Sequence, residues 1–519
     1  MFNTRNVVFK DYNPNQLLLL PPSLESLIPS GHLVRTVSTL VDQMDITPLL
    51  RTYQGGGTSS YHPKMMLKVL LYSYTQKVYS CRQIAKALRE NVHFMWLSGM
   101  QQPDFRTINL FRGERMKDVI EQIFSSLVEL LADARLIDLK DYFVDGTQIE
   151  ANANRYTFVW AGSTEKYKSS LQRNVRALLN EIDKINEEED LHHGSHDLAE
   201  VGEQSQISSE MLERKVAELD AQLSQKSERK KKPPLKKAIK KIRKDYLPRL
   251  RKYEEQEKTL NGRRSYSKTD PDATFMRMKD DHMKNGQLKA GYNVQMGTQN
   301  QFVLSYTIHQ KSNDTTHLIP HLEHFQDQFD RLPKRIIADA GYGSEENYTY
   351  LASNKTQAYV KFSYFHWEQK RKIRNDPFRP QNWEYDHLRN EYPCPEHRKL
   401  SSVSNKKRKT RTGFEQHKVV YQTDCSDCPL KEKCNPKYPN KRIEVNQRLE
   451  RYKSKARRML KSEEGKILRS KRPIEVEAVF GQIKHNMGLK RFSLRGIEKV
   501  NLEYGLFAMA HNLKKAGRG

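Results

Sequence analysis

The chain has 519 residues, enough for about three or four domains. Its hydrophobic fraction of 36% and mean hydropathy of −0.84 are polar for a globular protein, yet 25 Tyr, 19 Phe and 4 Trp can fill cores, which excludes full disorder. With 90 Lys and Arg against 63 Asp and Glu the net charge is +27, which points to a polyanionic partner, nucleic acid first. No run approaches the ~20 apolar residues that span a bilayer. The most apolar early stretch, Leu17 to Pro22, lacks the form of a secretory signal. Five cysteines in a chain of this length argue against a disulfide scaffold, so a cytoplasmic, nucleoid-associated protein without a membrane contact is expected.

Residues 1–135 read as an all-helical domain. Leu67, Val69, Leu70 and Leu71 follow Pro63, which suits a helix start. Ser80 to Leu88 is a second short helix with Ile84, Ala85 and Leu88 as its apolar side, and Asp104 to Phe111 opens a third. Short helices in tight succession suit a DNA-binding role. At 136–164 the character changes: Tyr142, Phe143 and Val144 are strand formers and Asp145-Gly146 stops them. Residues 165–262 form a charged helical insert. Leu171, Val175, Leu178, Ile182 and Ile185, then Leu212, Val216, Leu219 and Leu223, are spaced as two amphipathic seams, an antiparallel pair. Between that pair and the next segment, Lys230, Lys231 and Lys232 belong to a basic run that is either a solvated linker or a contact to DNA phosphates.

Strand signals return in 263–375. Tyr292–Met296 and Phe302–Ile308 are joined by a hairpin-like link at Gly297 to Gln301, a helix follows near His317 to Phe329, and Arg335–Ala338 is a buried strand that ends in Asp339. Strand, strand, strand, helix, strand is the order of an RNase H-like α/β core. Residues 376–455 read as an irregular Cys-rich insert with a second basic run at Lys406–Lys409, and 456–519 as a helical closing part of the core.

Two strands thus end in Asp, and a third acid, Glu477, follows Pro473 on a helix, with Ile474, Val476 and Phe480 able to pack behind it. Three carboxylates are a hard-oxygen set suited to Mg²⁺ or Mn²⁺ in two-metal phosphoryl transfer. Glu475 is the competing third ligand, but two residues correspond to about 200° around an α-helix, so both acids cannot face one ion. Cys394, Cys425, Cys428 and Cys434 contain a C-x2-C knuckle and suit a structural Zn²⁺, with Cys394-x2-His397 as an alternative half-site.

The chain resembles bacterial insertion-sequence transposases of the DDE type. The resemblance rests on DYFVDGTQIEANANRYTFVW at 141–160, IIADAGYGSEENY at 336–348 and VEAVFGQIKHNMGLKRFSLRGIEKV at 476–500. YHPKMMLKVLLYSY in the N-terminal domain, CPLKEKC and the closing AHNLKK extend it over nearly the whole length. The resemblance implies that Asp145, Asp339 and Glu477 are the catalytic, Mg²⁺-binding triad, and that Lys484 contacts DNA. It also implies a homodimer acting on the element's terminal repeats and on target DNA, by strand cleavage and 3′-hydroxyl transfer. Many relatives carry an Arg four residues before the Glu; Pro473 stands there in this chain, and Arg472 is the substitute. The rival readings are a nuclease without strand transfer and a DNA-binding regulator without catalysis.

Overall fold

A computed structural model describes residues 23–53, 60–190, 207–225, 233–278 and 286–518. Lys230, Lys231 and Lys232 lie outside the described residues. The chain divides into two compact units, one of residues up to Asp133 together with those from Leu506 on, the other from Ala134 to Gly505. No helix among the described residues is long and apolar enough to cross a membrane.

The first unit is helical. Helix Pro63–Thr75 starts at a proline, where the missing N–H costs no hydrogen bond, and helix Cys81–Glu90 follows it. The third, Phe105–Leu110, is capped by Asp104, whose carboxylate accepts the Thr107 N–H at 2.7 Å. Val34, Val37, Leu67, Leu70, Leu88, Phe124 and Leu127 close its core, and Tyr74 and Tyr79 pack on Phe507. Arg112 belongs to this architecture: it is buried, and its guanidinium donates to the Tyr79 carbonyl.

The strands of the second unit are β1 (Asp141–Glu150), β2 (Phe158–Trp160), β3 (Ser265–Ser267), β4 (Thr274–Arg277), β5 (Leu288–Gln299) and β6 (Phe302–His309). They continue with β7 (Arg335–Ala338), β8 (Gln357–Val360), β9 (Glu391–Pro393), β10 (Lys399–Lys409), β11 (Glu415–Asp424) and β12 (Asn440–Val445). The main sheet has the order β4-β5-β1-β7-β8, with β6 also on β5. Strands β6, β5 and β1 are antiparallel neighbours, whereas β7 and β8 run parallel to β1. The hairpin between β5 and β6 turns at Asn300 and Gln301, both at positive φ, rather than across Gly297–Gln301, because β5 keeps its ladder to Gln299.

β1 also departs from expectation. It does not end at Asp145-Gly146 but continues to Glu150, because β5 pairs with it without a break from Phe143 to Glu150. What ends beside Asp145 is β7, whose last pair is Val144 with Ala338. Gly146 leaves room there: a Cβ would lie 2.2 Å from the Gln295 amide nitrogen and 2.5 Å from an Asp314 carboxylate oxygen, so both side chains would have to shift.

The helical insert is a three-helix bundle, not an antiparallel pair. Helices Ala161–Asp190 and Ser209–Gln225 are joined by a third run from Pro233 to Leu260, interrupted by one π turn at Ile242–Tyr246. Leu171, Val175, Leu179 and Ile182 pack with Leu212, Val216 and Leu219, and also with Leu235, Ile239, Ile242 and Leu250 of the third run. That run is so rich in Lys and Arg that its apolar stripe is masked in the sequence. The Cys-rich insert is likewise ordered rather than irregular, an antiparallel sheet in the order β12-β11-β10-β9. Its core is small, Tyr392, Leu400, Tyr421 and Ile443.

A histidine cluster lies between β6 and helix Leu318–Phe329. Thr307 Oγ1 is 2.8 Å from His309 Nε2 and 2.9 Å from His321 Nδ1, and Tyr142 Oη is 2.8 Å from His321 Nε2. His309 also stacks on His317. Burial is the main cause that holds all three below their usual value of 6.5, His309 at about 3, and neighbouring imidazoles push His309 and His321 the same way. The unfolded chain therefore binds protons that the folded one refuses, so stability should fall as pH drops from about 6.5 towards 3. Urea unfolding at pH 7.5 and pH 5 checks this: the midpoint should be lower at pH 5, and the difference smaller in His309→Gln.

Candidate active site

Asp145, Asp339 and Glu477 reach one place from three elements. Asp145 stands in β1 beside the end of β7, buried, with one oxygen accepting the Gly146 N–H at 2.9 Å. Asp339 is the first residue after β7. It caps the 3₁₀ turn Ala340–Tyr342 by accepting the Gly341 N–H at 2.8 Å. Glu477 ends a π-helical turn, Pro473–Glu477, that continues from helix Glu463–Lys471.

Arg472 is where they meet. Its Nη2 is 2.9 Å from Asp145 and 3.9 Å from Asp339, and its Nη1 donates to Glu477 at 2.7 Å. Arg472 is 8% exposed, so these charge-assisted contacts are made in a partly desolvated corner. The π turn accounts for the spacing. One extra residue in the turn puts positions five apart on one face, so Arg472 stands over Glu477 as an Arg four residues earlier would in an α-helix.

Glu475 is turned elsewhere. It is buried and accepts the Gln301 N–H at 2.7 Å, at the turn between β5 and β6. Val476 and Phe480 pack as expected, but Ile474 is 59% exposed. The π turn rotates Ile474 out while Glu477 stays beside Arg472. Lys484 lies in a second π turn, Gln482–Asn486, and is buried.

Two further charged residues border the site without any spacing signal to reveal them. Asp314 accepts from the Asn293 and Gln295 amides at 2.7 and 2.9 Å, next to Gly146. It follows a helical-turn cap, which in sequence reads only as a turn. Lys361 follows β8, and its backbone N–H donates to the Ala338 carbonyl. Burial, with Arg472 and Arg469 nearby, holds its ammonium below the usual value, opposed by Asp339 and Glu477. Tyr342 is fully buried between these groups, with its hydroxyl on Gln295. Burial drives that hydroxyl well up, and Asp314, Asp145 and Asp339 add to the effect.

As a donor set the three carboxylates fit a hard divalent cation, since they already converge on a positive group. Among the described residues no three His, Cys, Asp or Glu side chains stand at metal-holding spacing; at the triad, Arg472 lies between them. Elsewhere in the second unit, Cys394, Cys425, Cys428 and Cys434 line a single pocket with Glu396, Lys431 and Lys441. All four are free thiols, and His397 is exposed beside them.

Comparison with known families places transposase domains at both ends of the chain. Residues 393–516 match the family described as "Transposase DDE domain", and residues 22–114 match "Transposase domain (DUF772)". Together they support an insertion-sequence DDE transposase, a class of protein that acts on DNA. No curated protein and no solved structure matches the chain.

The two glutamates can be separated by stability. Glu475→Ala removes a buried charged acceptor from the Gln301 N–H and should cost roughly 1–3 kcal/mol. Glu477→Ala, at a half-exposed residue paired with Arg472, should cost less. Chemical denaturation of the two variants against the parent checks the order.

Proposed function

We propose that this protein is a cut-and-paste DNA transposase that binds the terminal repeats of its element, cleaves there, and joins the freed end to target DNA. The observation that carries the reading is the meeting of Asp145, Asp339 and Glu477 at Arg472. The strand arrangement supports it. An antiparallel β6-β5-β1 set followed by parallel β7 and β8, with one acid in β1 and one just after β7, suits an RNase H-like catalytic core. The helical first unit, matched as a transposase domain, is the natural reader of the terminal repeats. A homodimer would bring two such ends together.

Asp145, Asp339 and Glu477 would hold Mg²⁺ or Mn²⁺. When bound, two such ions supply Lewis acidity to the attacking and leaving oxygens of an in-line displacement. Arg472 and Lys361 bring positive charge to the same corner and can orient the phosphate under attack. In the first step, water attacks the phosphodiester and the bond to the element's 3′-oxygen breaks, leaving a 3′-hydroxyl and a 5′-phosphate. In the second, that 3′-hydroxyl forms a new ester bond with a target phosphate, and a target 3′-hydroxyl leaves. Both are the same displacement, so one triad serves both. Lys484, buried within the second π turn, would act on DNA only where the substrate reaches that depth.

The expected outcome for Asp145→Asn, Asp339→Asn and Glu477→Gln is loss of cleavage by about 10³-fold or more, on the scale of losing a principal source of transition-state charge stabilisation. End-DNA binding should hold, because affinity comes mainly from Lys and Arg on phosphates. A strand-joining assay with labelled end DNA separates this reading from a simple nuclease, which would cleave and never join.

The cysteine pocket is assigned to structural Zn²⁺. Four thiols from three segments around β9 to β12 border one pocket beside a core of only four buried apolar residues, where a metal would add stability. Protein purified without added zinc should hold about one zinc per chain by the four-ligand rule for closed sites. Cys425→Ser, Cys428→Ser and Cys434→Ser should each lose it. Retention in Cys434→Ser would assign the fourth position to His397, and a metal-free parent with four reactive thiols would end the assignment.

A further inference from the structure

The β10–β11 ribbon has no packing reason for its composition. From Ser401 to Lys409 every residue of β10 is exposed, so both faces of the strand meet water. Antiparallel sheets ordinarily pack one face and solvate the other. Beyond Ser401 the outer edge of β10 is also unpaired, because β9 covers only Lys399–Ser401. From Ser404 to Lys418 the ribbon carries Lys406, Lys407, Arg408, Lys409, Arg411 and Lys418 against one acid, Glu415.

The charges are arranged at a cost. Lys406 stands directly opposite Lys418, and like charges in that position destabilise a ribbon. Glu444 of β12 pairs with Lys406, and Glu415 lies near Lys407 and His417. Arg408, Lys409 and Arg411 make no ion pair among the described residues. Lysines on a free edge can serve to block edge-to-edge aggregation. That accounts for β10, but not for Lys418 on the inner strand or for Arg411 in the turn.

The ribbon is also aimed. Thr412 at its tip donates to Glu346 at 2.7 Å, and the Arg448 guanidinium lies over Phe414 while pairing with buried Glu345. Glu345 and Glu346 open the helix Glu345–Ser353, a few residues after Asp339. Arg408, Lys409 and Arg411 therefore lie on a ribbon whose tip touches the helix that begins a few residues after Asp339. Ser404 to Lys409 covers about 20 Å at the rise of an extended strand, and a two-stranded ribbon is of a width that a DNA duplex accommodates.

We propose that the β10–β11 ribbon is a duplex-binding arm that contacts the phosphate backbone of DNA flanking the scissile bond. This rests on the reading that DNA is the substrate. The test uses the full chain, a short random-sequence duplex and a single strand of the same length, with binding measured across a salt series. In the Arg408→Gln/Lys409→Gln/Arg411→Gln variant, log K against log salt for the duplex should flatten by about 2 to 3, at about 0.9 for each phosphate that the ribbon no longer neutralises. The conservative variant Arg408→Lys/Lys409→Arg/Arg411→Lys should keep the parent slope. Both should melt like the parent, which excludes unfolding as the cause. An unchanged duplex slope in the neutral variant overturns the proposal, and so does a weakening that appears only with the single strand. A variant that aggregates with its slope intact assigns the lysines to edge protection and also overturns it. A parent that binds no duplex at any salt would instead remove the DNA reading itself.

Discussion

Three acids in one corner of a sheet repel one another unless a cation stands among them, and the rest of this site follows from that constraint. The cation is Arg472, buried, with contacts to Asp145, Asp339 and Glu477. Burial strengthens the contact of Arg472 with Asp145, whereas Asp339 and Glu477 meet it from more exposed positions. Each acid also has a backbone reason for its place. Asp145 is held by the Gly146 N–H, Asp339 by the cap it forms on the next turn, and Glu477 by the π turn it ends. The three acids are thus positioned by main-chain geometry, the kind of preorganisation that the proposed phosphoryl transfer would need.

The π turn at Pro473–Glu477 decides which glutamate belongs to the site. In a regular α-helix, Arg472 and Glu477 would be five residues and about 500° apart, so not on one face. The widened turn brings them to 2.7 Å and sends Glu475 to the Gln301 N–H instead. Proline at its start removes one main-chain donor from a helical run that continues from Glu463–Lys471, a place where helices kink or change type. The departure from the family's usual Arg spacing is thus compensated locally, by one inserted residue and one change of helical type.

Much of the site is legible in the chain, and the reasons for the remainder are specific. Asp145, Asp339 and Glu477 are legible because strand and helix patterns place acids there and the surrounding segments resemble the motifs of DDE transposases. Asp314 and Lys361 are not, because each lies in a turn or after a short strand and reaches the site only through tertiary folding. The small sheet is hidden for a related reason. β10 is exposed on both faces, so Ser401 to Lys409 carries no alternation to betray a strand. The third helix of the bundle is hidden by the opposite effect, since Leu235, Ile239, Ile242 and Leu250 keep a helical stripe that the surrounding lysines and arginines obscure.

A similar conflict of signals makes β1 read as too short. Asp followed by Gly ordinarily signals a turn, because glycine loses the most freedom in a strand and aspartate favours caps. Here both act against type for the sake of what lies above them. Gly146 leaves room for Gln295 and Asp314, whose contacts with Asn293 form a buried polar network on the face of β5. Polar groups so deeply buried are tolerated only when they are hydrogen-bonded, and each amide here donates to an acceptor. The network in turn adjoins Tyr342, whose hydroxyl donates to Gln295 in the turn that Asp339 caps. A residue larger than glycine at 146 would therefore disturb Asp314, Gln295 and Tyr342 together, and through them the placement of both strand acids. The local rule that the sequence breaks at Asp145-Gly146 is the condition for the site beside it.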